Sequence, residues 1–363
     1  MRFFASSAVK YLSETTMNII STFKQGIAQV SRTKRMVLFA WFINVLFALV
    51  LALPVLKQLD GYLRNTVNDE SVLKQMDPAW AESYRADMEK SEFSRALDNT
   101  IYGYAPFVSH LEMQMNGTFI KTLGNFLYDF LLRWEINPGA TSLLFFVCLL
   151  YVCTGAFVAG GFIGIYSKDY RSTFTEFLMD GAKYFGKFFR LALIALLVYY
   201  VFFAVVVNWI NTTIPRWTAY EASETVPFTY YMIRNVVVLL VISLLFMIFD
   251  YARVRMVVDD RTSALGATVA SARFAFSHFL NTYGLYLLLT VIGVILIVAY
   301  AVLEKIIPQE SYWPLVLLFL VQQLYMLARF FLKGSFYACQ TELYRAVARQ
   351  EHLKGVSAAP STT

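Results

Sequence analysis

The densest group of side chains that could do chemistry is Asp250, Arg253, Arg255, Asp259 and Arg261, five of the six charges within twelve residues. Guanidinium groups offer paired donors that match a phosphate, so such a group beside a membrane suits an anionic lipid headgroup. Arg171, Lys183 and Arg273, with Lys168, would join it if the surrounding pattern repeats. The competing role is topological, with Asp259 and Arg261 bridging neighbouring helix ends. A second group is polar but uncharged. Asn44, Gln322 and Gln323 fall near the middle of long apolar runs, where polar atoms in hydrocarbon need partners. They point either to hydrogen bonds between helices or to a polar path for a solute. An ion-coupled path would more often carry an acid or base at mid-depth. Here Arg190, Arg234, Asp250, Arg253 and Arg329 stand at the ends of the runs instead.

Other catalytic arrangements are missing. His110, His278 and His352 have no histidine at i+3 or i+4 and no cysteine nearby, so the spacing frames no metal site. The chain carries no phosphate-cradling glycine loop and no nucleophile elbow. A non-enzymatic protein without cofactor is therefore expected. Cys148 and Cys153 lie in one apolar run and Cys339 follows another, too few and too placed for a disulfide framework.

The elements that must position these residues are six apolar runs, at 37–56, 142–166, 189–210, 236–249 with its flanks, 283–303 and 313–332. Most approach the roughly 20 residues that a helix needs to cross a hydrocarbon core of about 30 Å. The fourth lengthens through Tyr231, Met232 and Ile233 if the long stem of Arg234 carries its charge to the interface. A mean hydropathy of +0.53 and 58% hydrophobic residues place the chain among helical membrane proteins. The expected class is thus all-α and polytopic, with six transmembrane helices.

Charge orients them. The segments 1–36, 166–190, 250–280 and 329 onward carry 20 basic and 9 acidic residues, whereas the alternate segments carry 11 and 16. Basic residues near span ends favour the cytoplasm, so both termini are expected there. The net charge of +6 is read as topology and attraction to anionic lipid, not as nucleic-acid binding. The N-terminal stretch lacks the compact apolar core and small-residue site of a cleavable signal, so the first span is expected to serve as the insertion signal.

An internal duplication gives the next layer. Asp169, Arg171, Ser172, Lys183, Tyr184 and Phe189 stand ninety positions before Asp259, Arg261, Thr262, Arg273, Phe274 and Phe279. The repeated unit reads as one amphipathic interfacial helix followed by two crossings, N-capped at Ser172 or Thr173 and again at Thr262 or Ser263. Phe174, Phe177, Leu178 and Phe185 form its apolar stripe, and Ile20, Phe23, Ile27 and Val30 form a similar one ahead of the first span. The organisation expected is an amphipathic segment at 1–35, a first span at 36–56, an extracytoplasmic helical insertion at 57–140 and a second span at 141–166. Repeat units at 167–254 and 255–334 and a C-terminal helix with a tail at 335–363 complete it.

Two further surfaces stand out. Ala156, Gly160 and Gly164 recur every four residues in the second span and would let a neighbouring helix approach closely. In the insertion, Phe119, Leu123, Phe126, Phe130 and Trp134 share one helical face, which packs on the insertion itself or meets a protein partner. Asn116-Gly-Thr and Asn211-Thr-Thr fit a glycosylation pattern too short to carry weight.

The stretch Asp250-Tyr-Ala-Arg253-Val-Arg-Met-Val-Val-Asp-Asp-Arg261, the amphipathic segment after it, and Glu342-Leu-Tyr-Arg345 are similar to uncharacterised bacterial six-span integral membrane proteins and to the membrane domain attached to some glycerophosphodiester phosphodiesterases. The likeness covers about 140–350 and implies a helical domain of interfacial-helix and two-span units in a bacterial inner membrane, without an activity. No phosphodiesterase catalytic domain accompanies it here. The expected role is a scaffold or accessory subunit of a membrane complex, associated with lipid. The alternative is a transporter of lipid or a small solute.

Overall fold

The computed structural model describes residues 19–66, 140–168, 170, 172–221, 223–308 and 312–357. Among these, every regular element is a helix: α1 (Ile19–Arg32), α2 (Lys34–Thr66), α3 (Ala140–Tyr166), α4 (Phe174–Val201), α5 (Asn208–Trp217), α6 (Thr225–Val258), α7 (Ala264–Ser277), α8 (Phe279–Ile306) and α9 (Tyr312–Ser357). Among the described residues five helices are long and apolar enough to cross a membrane, or six if the bent pair α1 and α2 is one span. The expected partner face at Phe119, Leu123, Phe126, Phe130 and Trp134 lies outside the described residues.

Two helices run past the boundaries that composition suggests. No break separates a short amphipathic helix from the third span: α4 begins at Phe174 and passes through a π-helical segment, Phe202–Val207, into α5, giving 44 continuous residues. The glycines at 181 and 186 weaken but do not break such a helix, because no proline intervenes before Pro215. The last span likewise continues into the C-terminal helix as the 46-residue α9. By contrast, α7 is a separate helix that ends at His278, whose amide bonds the Phe274 carbonyl. Both helix starts are capped by hydroxyls within the expected pairs. Thr173 and Glu176 bond reciprocally, amide to carboxylate at 2.7 Å and amide to hydroxyl at 3.3 Å. Ser263 accepts from the Gly266 amide at 3.2 Å.

The described residues form two compact units. The first is drawn from residues up to 48, 153–191 and 246 onward. Its α3 and α4 meet through glycines. A Cβ on Gly160 would stand 3.2 Å from the Tyr184 Cβ, one on Gly164 2.5 Å from the Asp180 Cβ, and one on Gly181 2.9 Å from the Phe157 carbonyl. Gly161 faces the Phe177 ring in the same way, and Ala156 is buried. Such close approach matters in lipid, where apolar side chains gain little by leaving the tails and packing contact drives association. Around this seam Phe162 lies against Phe177 and Tyr166, with ring centroids 5.2 and 5.8 Å apart.

In the same unit α1 turns into α2 by 72°. Thr33 makes the corner: its hydroxyl bonds the Val30 carbonyl at 3.1 Å and pairs with the Tyr166 hydroxyl at 3.0 Å. The buried side of α1 is Thr22, Gly26 and Val30, while Ile20 is exposed and Phe23 and Ile27 are half-buried. The packed face is therefore offset from the apolar stripe, because small residues admit α9: Gly26 faces Cys339, whose thiol points to the Phe23 carbonyl at 3.8 Å. Gln29 donates to Glu342 at 2.5 Å.

The second unit is drawn from 49–152 and 192–245. Phe203, Val207 and Val238 are its buried cluster, with Tyr199, Phe202 and Ile242 against it. Arg234 does not reach outward as its long stem allows. It is buried, its guanidinium donates to the Asn211 side chain at 2.8 Å and lies 5.8 Å from the Tyr231 ring centre. Asn211, the residue four before Pro215, thus serves helix pairing.

The glycine seam sets a test. Gly164→Leu should lower the melting temperature of the purified protein, at an overpacking cost of about 1–3 kcal/mol. Gly155→Leu, at a position where a Cβ meets nothing within 4 Å, should leave it unchanged. Equal effects would show that α3 and α4 do not meet through this seam.

Candidate functional site

The charge cluster at the end of α6 is the part of the first unit richest in reactive groups, and its geometry follows from helix spacing. Arg253 lies three residues after Asp250 and reaches it at 2.6 Å. Arg255 lies four before Asp259, on the same face, and its Nε stands 3.3 Å from the carboxylate. The chain then leaves the helix through Asp260 at φ 48°, a left-handed conformation that aspartate tolerates better than most residues. That turn brings Arg261 back, its Nε 3.4 Å from the same Asp259 oxygen.

Asp259 is the centre of this arrangement. The Tyr344 hydroxyl on α9 donates to its carboxylate, 2.9 Å from each oxygen. Arg255 also donates through Nη1 to the Ala270 carbonyl of α7 at 2.6 Å and lies 5.6 Å from the Tyr344 ring centre. Phe274 of α7 closes the group, with centroid distances of 5.0 Å to Tyr344 and 5.5 Å to Tyr251. One carboxylate and one guanidinium therefore tie α6, α7 and α9 together.

The neighbouring charges are engaged in the same way. Lys187 on α4 reaches Asp260 at 2.7 Å. This hydrogen bond first, and then the ammonium charge, hold the Asp260 carboxyl below its usual range. Lys168 meets Asp180 at 2.7 Å. Burial, the largest influence, works against its ammonium, but the bond to Asp180 and the charges of Asp180, Tyr170 and Glu176 together raise its pKa. Glu342 accepts from Gln29 and stands 3.7 Å from Arg345.

Of the six basic residues expected at a headgroup site, Arg253, Arg255 and Arg261 are thus paired with the chain's own carboxylates. Lys183 and Arg273 are exposed, and Arg171 lies outside the described residues. The expected polar group in the spans is spread around its helices: Asn44 is half-buried on α2, and on α9 Gln322 is exposed while Gln323 is half-buried. Successive residues of a helix point about 100° apart, so the two glutamines do not share a direction. Among the described residues no three His, Cys, Asp or Glu side chains are grouped to hold a metal ion.

Several contacts at this site are not apparent from spacing. Tyr344, Gln29 and the Tyr166 hydroxyl carry no charge and belong to no local pattern, yet each bonds a residue more than eighty positions away. The only signal was indirect. Glu342-Leu-Tyr-Arg345 and Asp250–Arg261 were separate parts of one family resemblance, and Tyr344 of the first touches Asp259 of the second. No family model, no curated protein and no solved structure matches the chain.

Two outcomes follow from this geometry. Asp259→Asn and Tyr344→Phe, made singly and together, should show a coupling of about 1 kcal/mol in stability; strictly additive losses would mean the contact contributes nothing. The depressed Asp260 carboxyl stabilises the fold above its unfolded pKa of roughly 4 and ceases to do so as pH falls through its lower folded value. Lys187→Gln should accordingly melt earlier than the wild type near neutral pH, and the gap should close in acid.

Proposed function

We propose that this chain is a non-enzymatic integral membrane scaffold or accessory subunit of a bacterial inner-membrane complex, with both termini in the cytoplasm. The observation that supports this reading is the engagement of its charged side chains with one another. Asp259 binds Arg255, Arg261 and Tyr344, and Asp250 binds Arg253. Groups that would serve as acid, base or phosphate ligand in an enzyme here join α6, α7 and α9. The excess of basic residues in the segments 1–36, 166–190, 250–280 and 329 onward supports the orientation. The similarity of Asp250–Arg261 and Glu342–Arg345 to six-span bacterial membrane proteins is in keeping with it. A protein partner would meet the extracytoplasmic insertion, through the face that Phe119, Leu123, Phe126, Phe130 and Trp134 share in sequence.

Native mass spectrometry of protein gently extracted from its own membrane tests the role. A stoichiometric protein partner, lost when Phe126 and Phe130 are replaced by Ser, is the expected result. A chain that leaves the membrane alone, together with solute movement in vesicles that Gln322→Leu and Gln323→Leu abolish, would overturn it in favour of transport.

A further inference from the structure

The start of α4 and the whole of α7 present the same face outward. In α4, Phe177, Gly181 and Tyr184 are buried; ninety positions later, Ala267, Ser271 and Phe274 of α7 are buried. Thr175, Met179, Lys183, Gly186 and Arg190 are exposed in the first stretch, and Leu265, Val269, Arg273, Phe276 and Leu280 occupy the matching exposed positions in the second. The caps agree as well, since Thr173 and Ser263 differ by the same ninety. One basic side chain therefore stands at the same point of each outward face.

These two residues differ from the arginines at the end of α6. Among the described residues neither Lys183 nor Arg273 forms an ion pair: the Lys183 ammonium lies 4.9 Å from the centre of the Tyr184 ring, and Arg273 is exposed. At 14 residues, α7 is about 21 Å long, too short to cross a hydrocarbon core of about 30 Å. Yet its outward face is apolar, with Leu265 and Val269 each 65% exposed. Beyond the break at His278, the spanning helix α8 also exposes apolar side chains, Leu280, Leu287, Val291 and Val294. On α4 the matching face carries Met179, 65% exposed, and a second exposed basic residue, Arg190. Stacked aromatics flank both places, Phe185 on Phe189 at 6.0 Å and Phe279 on Tyr283 at 5.0 Å, the residue type that settles at headgroup depth.

We propose that Lys183 and Arg273 head two seats for an anionic phospholipid. The phosphodiester rests on the basic side chain and the acyl chains lie against the exposed apolar side chains beside it. The exposed apolar side chains around each basic residue select lipid as the occupant, and the positive charge, in no ion pair among the described residues, selects the anionic kind. These seats depend on the membrane-spanning architecture alone and exist whether or not the chain holds a protein partner.

The test uses the full chain in phosphatidylcholine vesicles, with electron spin resonance of spin-labelled phosphatidylglycerol and spin-labelled phosphatidylcholine reporting their relative association constants. The wild type should prefer phosphatidylglycerol. Lys183→Gln and Arg273→Gln should each lower that preference about fivefold, the worth of one basic residue at a membrane surface. Lys183→Arg with Arg273→Lys should retain it. An unchanged preference in the Gln double variant, melting as the wild type does, would overturn the proposal. So would an equal loss on replacing Lys34 and Arg35, which are also exposed, because the effect would then be diffuse charge and not two seats.

Discussion

The carboxylate of Asp259 is the contact on which the first unit turns. It accepts from Arg255 near the end of α6 and from Tyr344 on α9, and pairs with Arg261 after the turn. A partly buried carboxylate is costly to leave short of donors, and here two side chains supply them while Arg261 adds its charge. Arg255 carries the tie onward to the Ala270 carbonyl, so α7 is fixed by the same pair of charges that fixes α9. The turn between α6 and α7 follows from this geometry: Asp260 adopts its left-handed conformation where the chain must reverse to return Arg261 to Asp259.

A second constraint acts along the spans. In lipid there is no gain from moving one apolar side chain against another, so helices associate where backbones can come close. Gly160, Gly161, Gly164 and Gly181 let α3 and α4 do so, and Gly26 does the same for α1 against Cys339. Polar groups add direction to these otherwise featureless contacts. Thr33 and Tyr166 join hydroxyls at the corner between α1 and α2, and in the second unit Arg234 bonds Asn211. Buried threonines and serines such as Thr282, Ser335 and Thr341 instead bond carbonyls in or beside their own helices, which leaves their other faces free to pack.

What could be read from the chain followed the length scale of each signal. Apolar runs of about twenty residues declare spans because the bilayer imposes that length. The hydroxyl caps at Thr173 and Ser263 were legible because a cap is a local matter. The pairing of Arg255 with Asp259 follows an i, i+4 spacing, although in the sequence Arg255 reads as a headgroup ligand and only Arg261 as a partner of Asp259. By contrast, the reach of Tyr344 to Asp259 spans eighty-five positions and carries no periodic mark. Helix continuity was misread where the local cues conflict. The repeated pattern suggests a separate amphipathic helix where α4 runs on unbroken, and no glycine or proline announces the corner at Thr33. The stripe of α1 was displaced for a related reason: apolar residues mark a face, but the face that packs is the one narrow enough to be approached.

The docking of α1 on α9 has a consequence for the order of assembly. Gln29 and Glu342 are separated by 313 positions, so the first described helix to be synthesised receives its partner only when the last one is made. During synthesis Gly26 and Val30 face no α9, and the corner at Thr33 has its local bond to Val30 and, once α3 has entered the bilayer, the Tyr166 hydroxyl. Closure of the first unit is therefore a post-translational event with a large loop to close. A chain stopped before α9 would present the bare face of α1, a ready mark for membrane quality control.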